Sequence, residues 1–150
     1  MHVLVDADAF PNDLRYVLFR AVERREIPLT MVSNQGVRIP QSPWLSSIIV
    51  PAGPDVADDR IVELLEEGDL VVTADIPLAD RVIQKGGYAV NPRGELYTQA
   101  NIKDRLAVRD LMDGLRSEGM VTGGPASFGD RDRQNFANQI DKFLTKHCKR

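Results

Sequence analysis

The chain has 150 residues, with 19 lysines and arginines against 22 aspartates and glutamates and a formal net charge of −3. This length allows one domain with a substantial core and is too short for two ordinary ones. Apolar residues make up 43% and charged residues 27%, which is typical of a soluble globular protein and argues against disorder. The sequence has no apolar stretch long enough to cross a membrane, no secretion-signal pattern, and a single cysteine, Cys148, which cannot form an internal disulfide. We therefore expect a cytoplasmic protein.

The charge is unevenly distributed along the chain. Residues 1–80 contain 6 basic and 14 acidic side chains, which gives −8, whereas residues 81–150 contain 13 basic and 8 acidic side chains, which gives +5. Two solvated surfaces of opposite sign would explain this division. A carboxylate site that holds a metal, beside a basic flank that receives a polyanion, would explain it equally well.

The N-terminal half alternates between short apolar strands and helices. Residues 2–6 (HVLVD) are typical of a strand buried on both faces, and Pro11 is suited to the first turn of the helix that follows. Residues 29–34 (LTMVSN) and 46–51 (SSIIVP) predict two further strands, joined by a proline-interrupted loop. Residues 55–68 (DVADDRIVELLEEG) have the apolar spacing of a helix that ends at the final glycine.

The alternation continues to about residue 98 and then gives way to helices. Residues 69–75 (DLVVTAD) predict a strand, and residues 88–92 (YAVNP) predict a short strand. Between them, the segment LADRVIQKG predicts a helix, with Asp75 as its cap and Pro77 in its first turn. The glycine-rich stretch 121–129 (VTGGPASFG) is interpreted as a loop between two later helices of the same domain. Uniformly apolar strands that alternate with helices predict a three-layer α/β/α fold with a mainly parallel sheet. We expect one domain over residues 1–150.

Aspartates lie at the predicted ends of two strands and at the start of a helix. Asp6 and Asp8 follow the first strand, Asp75 follows the fourth, and Asp58 and Asp59 begin the helix before that fourth strand. Because ligands of open parallel sheets sit outside the carboxyl ends of the strands, these carboxylates are expected to meet at one edge. Two carboxylates ~5 Å apart repel by roughly 3 kcal/mol at an effective dielectric near 20, so their convergence would require a cation.

The chemistry of these side chains limits the choice of metal. Oxygen ligands with no histidine or cysteine nearby favour Mg²⁺ or Mn²⁺ over zinc, and the corresponding reaction is metal-assisted attack of water on a phosphodiester. Aspartates are also common as helix caps, and for Asp75 a cap explains the position as well as a ligand does. Asp6 ends an apolar strand, where capping is a poor explanation. Asp13, Asp69 and Asp80 are expected to be solvated surface residues.

Several stretches of the sequence carry a resemblance to a known family: VDADAFPN, DVADDRIVELLEEGDLVVTADIPLA and NPRGELYT, together with IKDRLAVRDLMDGLR and TGGPASFGDRDRQNFA. In these motifs, which extend over nearly the whole chain, the sequence closely resembles the bacterial YaiI/YqxD family, which looks like a branch of the PIN-like nuclease superfamily. The resemblance implies a PIN-like fold with Asp6 as the central metal ligand, Asp75 as its partner, and Asp58 or Asp59 as the third acid. It implies that Asp8 is a further ligand or supports the ligands, and, by analogy with the superfamily, a nuclease activity.

Polar and basic residues near the same edge are candidates for binding the substrate. Asn34 and Thr73 lie at strand ends, where they would bind phosphate or a water, or simply border the core. Arg93, in NPRGE, would contact phosphate or belong to a solvated loop. Arg131 and Arg133, with TGGP before them, would suit an anion at a helix start, although a turn before an exposed helix face explains them as well. The basic flank that we expect to border the acidic edge consists of Arg93, Lys103, Arg105, Arg109, Arg131 and Arg133.

Two other functions compete with a nuclease. A phosphatase of the haloacid dehalogenase type would use Asp6 as nucleophile and Asp8 as acid/base, with Thr73 and Lys85 as phosphate binders. That scheme needs an acidic pair after the lysine, whereas the aspartate pair here precedes the threonine. The other competitor is a non-catalytic PIN-like module that binds nucleic acid or protein. The sequence therefore favours a Mg²⁺- or Mn²⁺-dependent phosphodiester hydrolase, with RNA slightly preferred over DNA as the substrate.

Overall fold

A six-stranded sheet forms the centre of the protein in a computed structural model that describes residues 1–117 and 129–147. The strands are β1 (Val3–Asp6), β2 (Leu29–Ser33), β3 (Leu45–Ile49), β4 (Leu70–Val72), β5 (Tyr88–Val90) and β6 (Leu96–Tyr97). Their order across the sheet is β3-β2-β1-β4-β5-β6, with the first five strands in the chain parallel and β6 antiparallel to β5. The chain order reverses at β1, because β2 lies on one side of it and β4 on the other. In such sheets, ligands bind in the crevice outside the strand ends at this point.

Helices cover both faces of the sheet. The described residues form α1 (Asn12–Arg24), α2 (Val56–Leu64), α3 (Ile76–Gln84), α4 (Ile102–Ser117) and α5 (Asp130–His147), and a 3-10 turn spans Ala7–Ala9. α1 and α5 pack on one face, α2 and α3 pack on the other, and α4 packs on α3. The side chains of β1 alternate accordingly, with Val3 and Val5 in the core beneath α1 and Leu4 in the core beneath α2. This arrangement confirms the predicted α/β class with a mainly parallel sheet in three layers.

The last helix shares the core of the sheet. Its buried side chains recur at helical spacing: Phe136, Ile140, Phe143 and Leu144. The ring of Phe136 packs at 5.7 Å between centroids from that of Phe10, which precedes α1. Burying each such apolar side chain stabilises the fold by about 1.5–3 kcal/mol. α5 is therefore held to α1 and the sheet by a continuous apolar contact.

The end of α2 and the turn that follows it differ from the prediction. α2 ends at Leu64 instead of residue 68, because the next residue adopts an extended conformation with φ −68° and ψ 130°. Asp69 holds the turn that follows, since its Oδ2 accepts the N–H of Glu66 at 2.9 Å and its Oδ1 accepts the N–H of His2 at 3.0 Å. Asp69 is therefore buried, and the expectation that it is a solvated surface residue is wrong.

The C-terminal part adds one strand to the prediction. β6 is two residues long and forms a tight hairpin with β5, which the sequence analysis did not predict. The predicted loop at 121–129 lies outside the described residues, except for Gly129, and so does Cys148. No helix in residues 1–117 and 129–147 is long and apolar enough to cross a membrane.

Candidate carboxylate site

The last residue of β1 is a buried aspartate at the carboxyl edge of the sheet. Asp6 is the last residue of β1, lies in register with Val32 of β2, and is only 9% exposed. Thr73, which follows β4 and is 2% exposed, donates its hydroxyl to Oδ2 of Asp6 at 2.9 Å. Burial raises the pKa of Asp6, the hydrogen bond from Thr73 opposes that shift, and the negative charges of Asp75 and Asp8 add to it. The net shift is upward, so the fold holds this carboxylate in surroundings that disfavour its charge.

Asp75 caps the helix that follows β4. Its Oδ1 accepts the N–H of Leu78 at 3.1 Å, and its own N–H donates to the hydroxyl oxygen of Thr73 at 3.0 Å. Pro77 in the first turn of α3 is consistent with this helix start. A cap and a ligand role are compatible, because the cap uses one of the two carboxylate oxygens.

Asp58 lies in the first turn of α2, beside the other two acids. The pKa of Asp58 is raised to about 7, chiefly by burial and then by the charges of Asp75, Asp6 and Asp55 and a hydrogen bond with the Asp75 side chain. A carboxyl group with such a pKa beside other carboxylates is typical of sites that bind cations or transfer protons. We refer to Asp6, Asp58 and Asp75 as the carboxylate cluster.

The neighbouring Asp59 lies outside the carboxylate cluster. Its Oδ1 is 2.9 Å from Nη1 of Arg81 on α3, and its side chain is 64% exposed. The sequence left either Asp58 or Asp59 as the third acid. The structure places Asp58 with Asp6 and Asp75 and gives Asp59 an ion pair on the helix surface.

Asp8 lies at the rim of the cluster. It is an exposed residue of the 3-10 turn after β1, and its Oδ2 accepts the backbone N–H of Asn34 at 2.9 Å. Asn34 follows β2, so this hydrogen bond joins the ends of two adjacent strands. Asp8 acts on Asp6 through its charge, and the Asn34 side chain is exposed.

The carboxylate cluster fits a hard divalent cation in ligand type and charge. Its donors are all oxygen, and none of the ion pairs among residues 1–117 and 129–147 includes Asp6, Asp58 or Asp75. Within the same residues, no group of three His, Cys, Asp or Glu side chains is arranged to hold a metal ion. The hydrogen bonds to Thr73 and Leu78 orient two of the carboxylates individually. Binding a common ion would therefore require these side chains to turn toward it.

The predicted basic flank is largely ion-paired with carboxylates outside the cluster. The pairs are Arg93 with Asp132, Arg105 with Glu95, Arg109 with Asp110 and Asp113, and Arg133 with Asp13 and Asp130. Lys103 and Arg131 are exposed. Arg93 and Arg133 thus connect α5 to the β5–β6 turn and to α1, so each has a structural contact beside any role toward a substrate. Thr73 also has a structural contact, since its hydroxyl donates to Asp6 and accepts the N–H of Asp75.

Two residues that the sequence analysis did not single out belong to the same region. Asn91 follows β5 and is 8% exposed, and its Oδ1 accepts the N–H groups of Arg93 and Glu95, each at 3.0 Å. Its Nδ2 donates to the hydroxyl of Tyr97 at 3.1 Å. Burial raises the pKa of Tyr97, and the negative charges of Glu95 and, to a lesser extent, Asp75 act in the same direction. The available signal for Asn91 was its position, a polar residue directly after an apolar strand.

Comparison with known families identifies the group of proteins to which this site belongs. Residues 4–146 match the family model described as "Uncharacterized BCR, YaiI/YqxD family". The chain belongs to the YaiI/YqxD family. This confirms the resemblance seen in the sequence motifs, whereas the further step to the PIN-like superfamily stays a prediction.

Relatives in this family are similar over their full length. The chain is 55% identical over 150 residues to a UPF0178 protein of Maridesulfovibrio salexigens, covering 100% of this chain and 99% of the relative. It is 54% identical over 149 residues to a UPF0178 protein of Shewanella woodyi, covering 99% of each chain. A UPF0178 protein of Burkholderia cenocepacia is 55% identical over 150 residues, covering all of both chains.

Among solved structures, the chain is similar to the crystal structure of Rae1 (YacP) from Bacillus subtilis. The alignment covers 97% of this chain and 99% of that one, with a TM-score of 0.40 and 15% sequence identity. A similarity at this level supports no conclusion about function.

Proposed function

We propose that the protein is a divalent-metal-dependent nuclease with a PIN-like fold, which hydrolyses phosphodiester bonds and acts on RNA in preference to DNA. The observation that carries this proposal is the convergence of three carboxylates from β1, α2 and α3 at the reversal point of the sheet. None of them has a cationic side chain as partner among the described residues. Like charges that are brought together in a partly buried site must be relieved by protons or by a cation.

Each member of the cluster has a separate role in this proposal. Asp6, Asp58 and Asp75 would hold Mg²⁺ or Mn²⁺, and Asp8 would contribute negative charge from the rim. The cation would supply a Lewis acid for the phosphodiester and lower the pKa of the attacking water. Thr73 orients Asp6 through its hydroxyl, and Asp58, with its pKa near 7, would release its proton when the cation binds.

The phosphatase alternative has little support in the fold. Lys85 follows the C-terminal end of α3, whereas the carboxylate cluster adjoins the N-terminal end of that helix. The Nζ of Lys85 donates to the backbone carbonyl of Val62 on α2. Thr73 is engaged with Asp6, which the phosphatase scheme would need as a free nucleophile.

A non-catalytic nucleic-acid or protein-binding module is the second candidate. It is favoured by the hydrogen bonds that orient Asp6 and Asp75 individually, with no three-residue metal group formed among the described residues. Such a module would bind an oligonucleotide without cleaving it. The two candidates therefore differ in turnover, which an assay with added metal measures directly.

The adjacent aspartates of α2 provide a matched test. Asp58→Asn and Asp59→Asn each remove one negative charge from the same helix turn, but only Asp58 belongs to the cluster. The parent and both variants are incubated with Mn²⁺ and with 5′-labelled single-stranded RNA and DNA of one sequence. We expect the parent and Asp59→Asn to cleave at similar rates, RNA faster than DNA, and Asp58→Asn to be slower by about 100-fold.

The opposite results are equally clear. Equal rates for Asp58→Asn and Asp59→Asn, or cleavage that continues in EDTA, would contradict the proposal. Binding of the oligonucleotide by the parent without any cleavage in Mn²⁺ or Mg²⁺ would favour the non-catalytic module.

A further inference from the structure

Three arginines of the first helix and of the loop beside it have no carboxylate partner among the described residues. Among residues 1–117 and 129–147, no ion pair includes Arg15, Arg20 or Arg38. The Nε of Arg15 is buried and has no hydrogen-bond partner. These arginines belong to the acidic half of the sequence, where no basic surface was predicted.

These arginines line two adjoining concavities on the outer side of α1. One has a volume of about 380 Å³, and its lining includes Arg15, Tyr16, Phe19 and Arg38. The other has a volume of about 440 Å³, and its lining includes Tyr16, Phe19 and Arg20, with Glu23 and Arg24 at its far end. Because both share Tyr16 and Phe19, they form one continuous depression. We call Arg15, Tyr16, Phe19, Arg20 and Arg38 the α1 groove.

Tyr16 gives the α1 groove an aromatic surface. The residue is 68% exposed, and its ring meets that of Phe19 edge-on at 6.3 Å between centroids and an interplanar angle of 81°. Phe19 is buried in the core, so it supports the exposed ring from below. An exposed aromatic ring among arginines is the combination that binds single-stranded nucleic acid, with bases stacked on the ring and phosphates at the cations.

One end of the α1 groove lies near the 3-10 turn at the rim of the carboxylate cluster. Asn12, at its near end, starts α1 just after the 3-10 turn that carries Asp8. Arg38 is four residues beyond Asn34, whose N–H is bonded to Asp8. Since four residues span at most about 14 Å, Arg38 lies within that distance of Asn34 and so near the rim of the cluster. A nucleic-acid strand bound in the α1 groove would thus continue toward the carboxyl edge of the sheet.

We propose that the α1 groove binds single-stranded nucleic acid, with a base stacked on Tyr16 and phosphates at Arg15, Arg20 and Arg38. Unpaired bases are required, because a base within a duplex does not expose its face for stacking. The direction of the strand toward the carboxylate cluster rests on the proposed function. Binding itself requires no hydrolysis, so it is measured separately.

The test is a titration by fluorescence anisotropy with the full chain in EDTA. The probes are fluorescein-labelled 12-nucleotide RNA and DNA single strands and the corresponding duplexes. We expect the single strands to bind more tightly than the duplexes, Tyr16→Ala to raise the Kd about tenfold, and Tyr16→Phe to leave it unchanged. Arg38→Gln should raise the Kd and reduce the slope of log affinity against log salt by about 0.7, which corresponds to one phosphate contact.

Lys146→Gln is the matched control for Arg38→Gln. Lys146 is an exposed cation with no ion pair among the described residues, and it lies near the C-terminal end of α5, where it lines a separate concavity beside β5 and β6. Its substitution should change neither the Kd nor the salt slope. Both Arg38 and Tyr16 are exposed, so unchanged melting temperatures should accompany the variants.

Several results would overturn the inference: no measurable binding of single strands, tighter binding of duplexes, or equal effects of Arg38→Gln and Lys146→Gln. A cleavage assay in Mn²⁺ separates this inference from the nuclease proposal. Cleavage that is unaffected by Tyr16→Ala and Arg38→Gln would reject the α1 groove and leave the nuclease intact. Binding that depends on Tyr16 and Arg38, without cleavage, would support the α1 groove and reject the nuclease.

Discussion

The hydroxyl of Thr73 and the carboxylate of Asp6 form a buried hydrogen bond of 2.9 Å between residues 67 positions apart in the sequence. It joins the ends of β4 and β1, the adjacent strands where the chain order of the sheet reverses. The same hydroxyl oxygen accepts the N–H of Asp75 at 3.0 Å. One side chain thus positions two of the three members of the carboxylate cluster, and its removal should affect both.

Replacing Thr73 with valine tests that relationship. Thr73→Val keeps the shape of the side chain but leaves Oδ2 of Asp6 without its donor and the N–H of Asp75 without its acceptor. We expect the free energy of unfolding at pH 7 to fall by about 1–3 kcal/mol, measured by urea denaturation. Thr73→Ser keeps the hydroxyl and should lose less. A serine variant that is destabilised as much as the valine variant would show that packing matters here and the hydrogen bond does not.

The Asp6→Asn variant tests the cluster as a cation site. Asparagine keeps an acceptor for Thr73 and removes one of the crowded negative charges, so the metal-free protein should be as stable as the parent or more stable, by an amount on the order of 1–3 kcal/mol. The rise in melting temperature that Mn²⁺ gives the parent should be lost, because a ligand stabilises the folded state in proportion to its affinity. Thermal scans in EDTA and in millimolar Mn²⁺ measure both effects.

Asp59→Asn is the control for these scans, because Asp59 pairs with Arg81 away from the cluster. It should respond to Mn²⁺ as the parent does. An Asp6→Asn protein that is destabilised in EDTA and still responds fully to Mn²⁺ would rule out Asp6 as a ligand.

Asp58 makes stability depend on pH in a defined window. Its pKa is raised from 3.8 to about 7 in the folded protein, so between these values the folded state retains a proton that the unfolded state has released. Stability therefore falls as the pH rises through this window, and the penalty is complete above pH 7. Because Asp58 is only partly buried, solvent screening limits the effect to about 1–2 kcal/mol.

Urea denaturation in EDTA at pH 4.5 and pH 8 measures this dependence. Asp58→Asn cannot release a proton, so its stability relative to the parent should increase by about 1–2 kcal/mol between the two pH values. Asp59→Asn should show no such increase. A difference between Asp58→Asn and the parent that is the same at both pH values would refute the assignment of this window to Asp58.

The fold class follows from the sequence because strands buried on both faces have a simple signature. Every residue of β1, β2 and β4 is buried, and each of these strands is mostly apolar, as a parallel sheet between two helical layers requires. The clustering of Asp6 and Asp75 follows in turn from the rule that strand ends meet at one edge. The fold class and the side chains at the strand ends can therefore be predicted from the sequence alone.

Contacts that depend on how helices are rotated and paired cannot be predicted from the sequence pattern. Asp58 and Asp59 are adjacent in the same helix turn, and only the position of Arg81 on α3 separates their roles. Arg93 meets Asp132 across 39 positions of sequence, so its ion pair could not be read from its own surroundings. Charge composition located the basic half of the chain, but Arg15, Arg20 and Arg38, which have no carboxylate partner among the described residues, lie in the acidic half.

In the NPRGE motif, the backbone of α5 determines which residue can occupy position 94. Gly94 has φ +87°, and a Cβ at this position would lie 2.6 Å from the backbone carbonyl carbon and oxygen of Asn135 in α5. Neither atom can move without displacing the helix that carries Phe136 into the core. Glycine is required here both for the backbone conformation and for the close approach of the turn to α5.

Gly94→Ala should therefore destabilise the protein strongly. The left-handed conformation costs an alanine about 1–2 kcal/mol and the overlap with α5 costs a further 1–3 kcal/mol, so we expect the free energy of unfolding to fall by about 2–5 kcal/mol in urea. Gly114→Ala is the control, since Gly114 lies within α4 with nothing within 4 Å of an added Cβ. There the better helix propensity of alanine should stabilise the protein by up to about 1 kcal/mol. If Gly94→Ala loses less than about 1 kcal/mol, the turn and α5 are not in the close contact that fixes the C-terminal helix on the core.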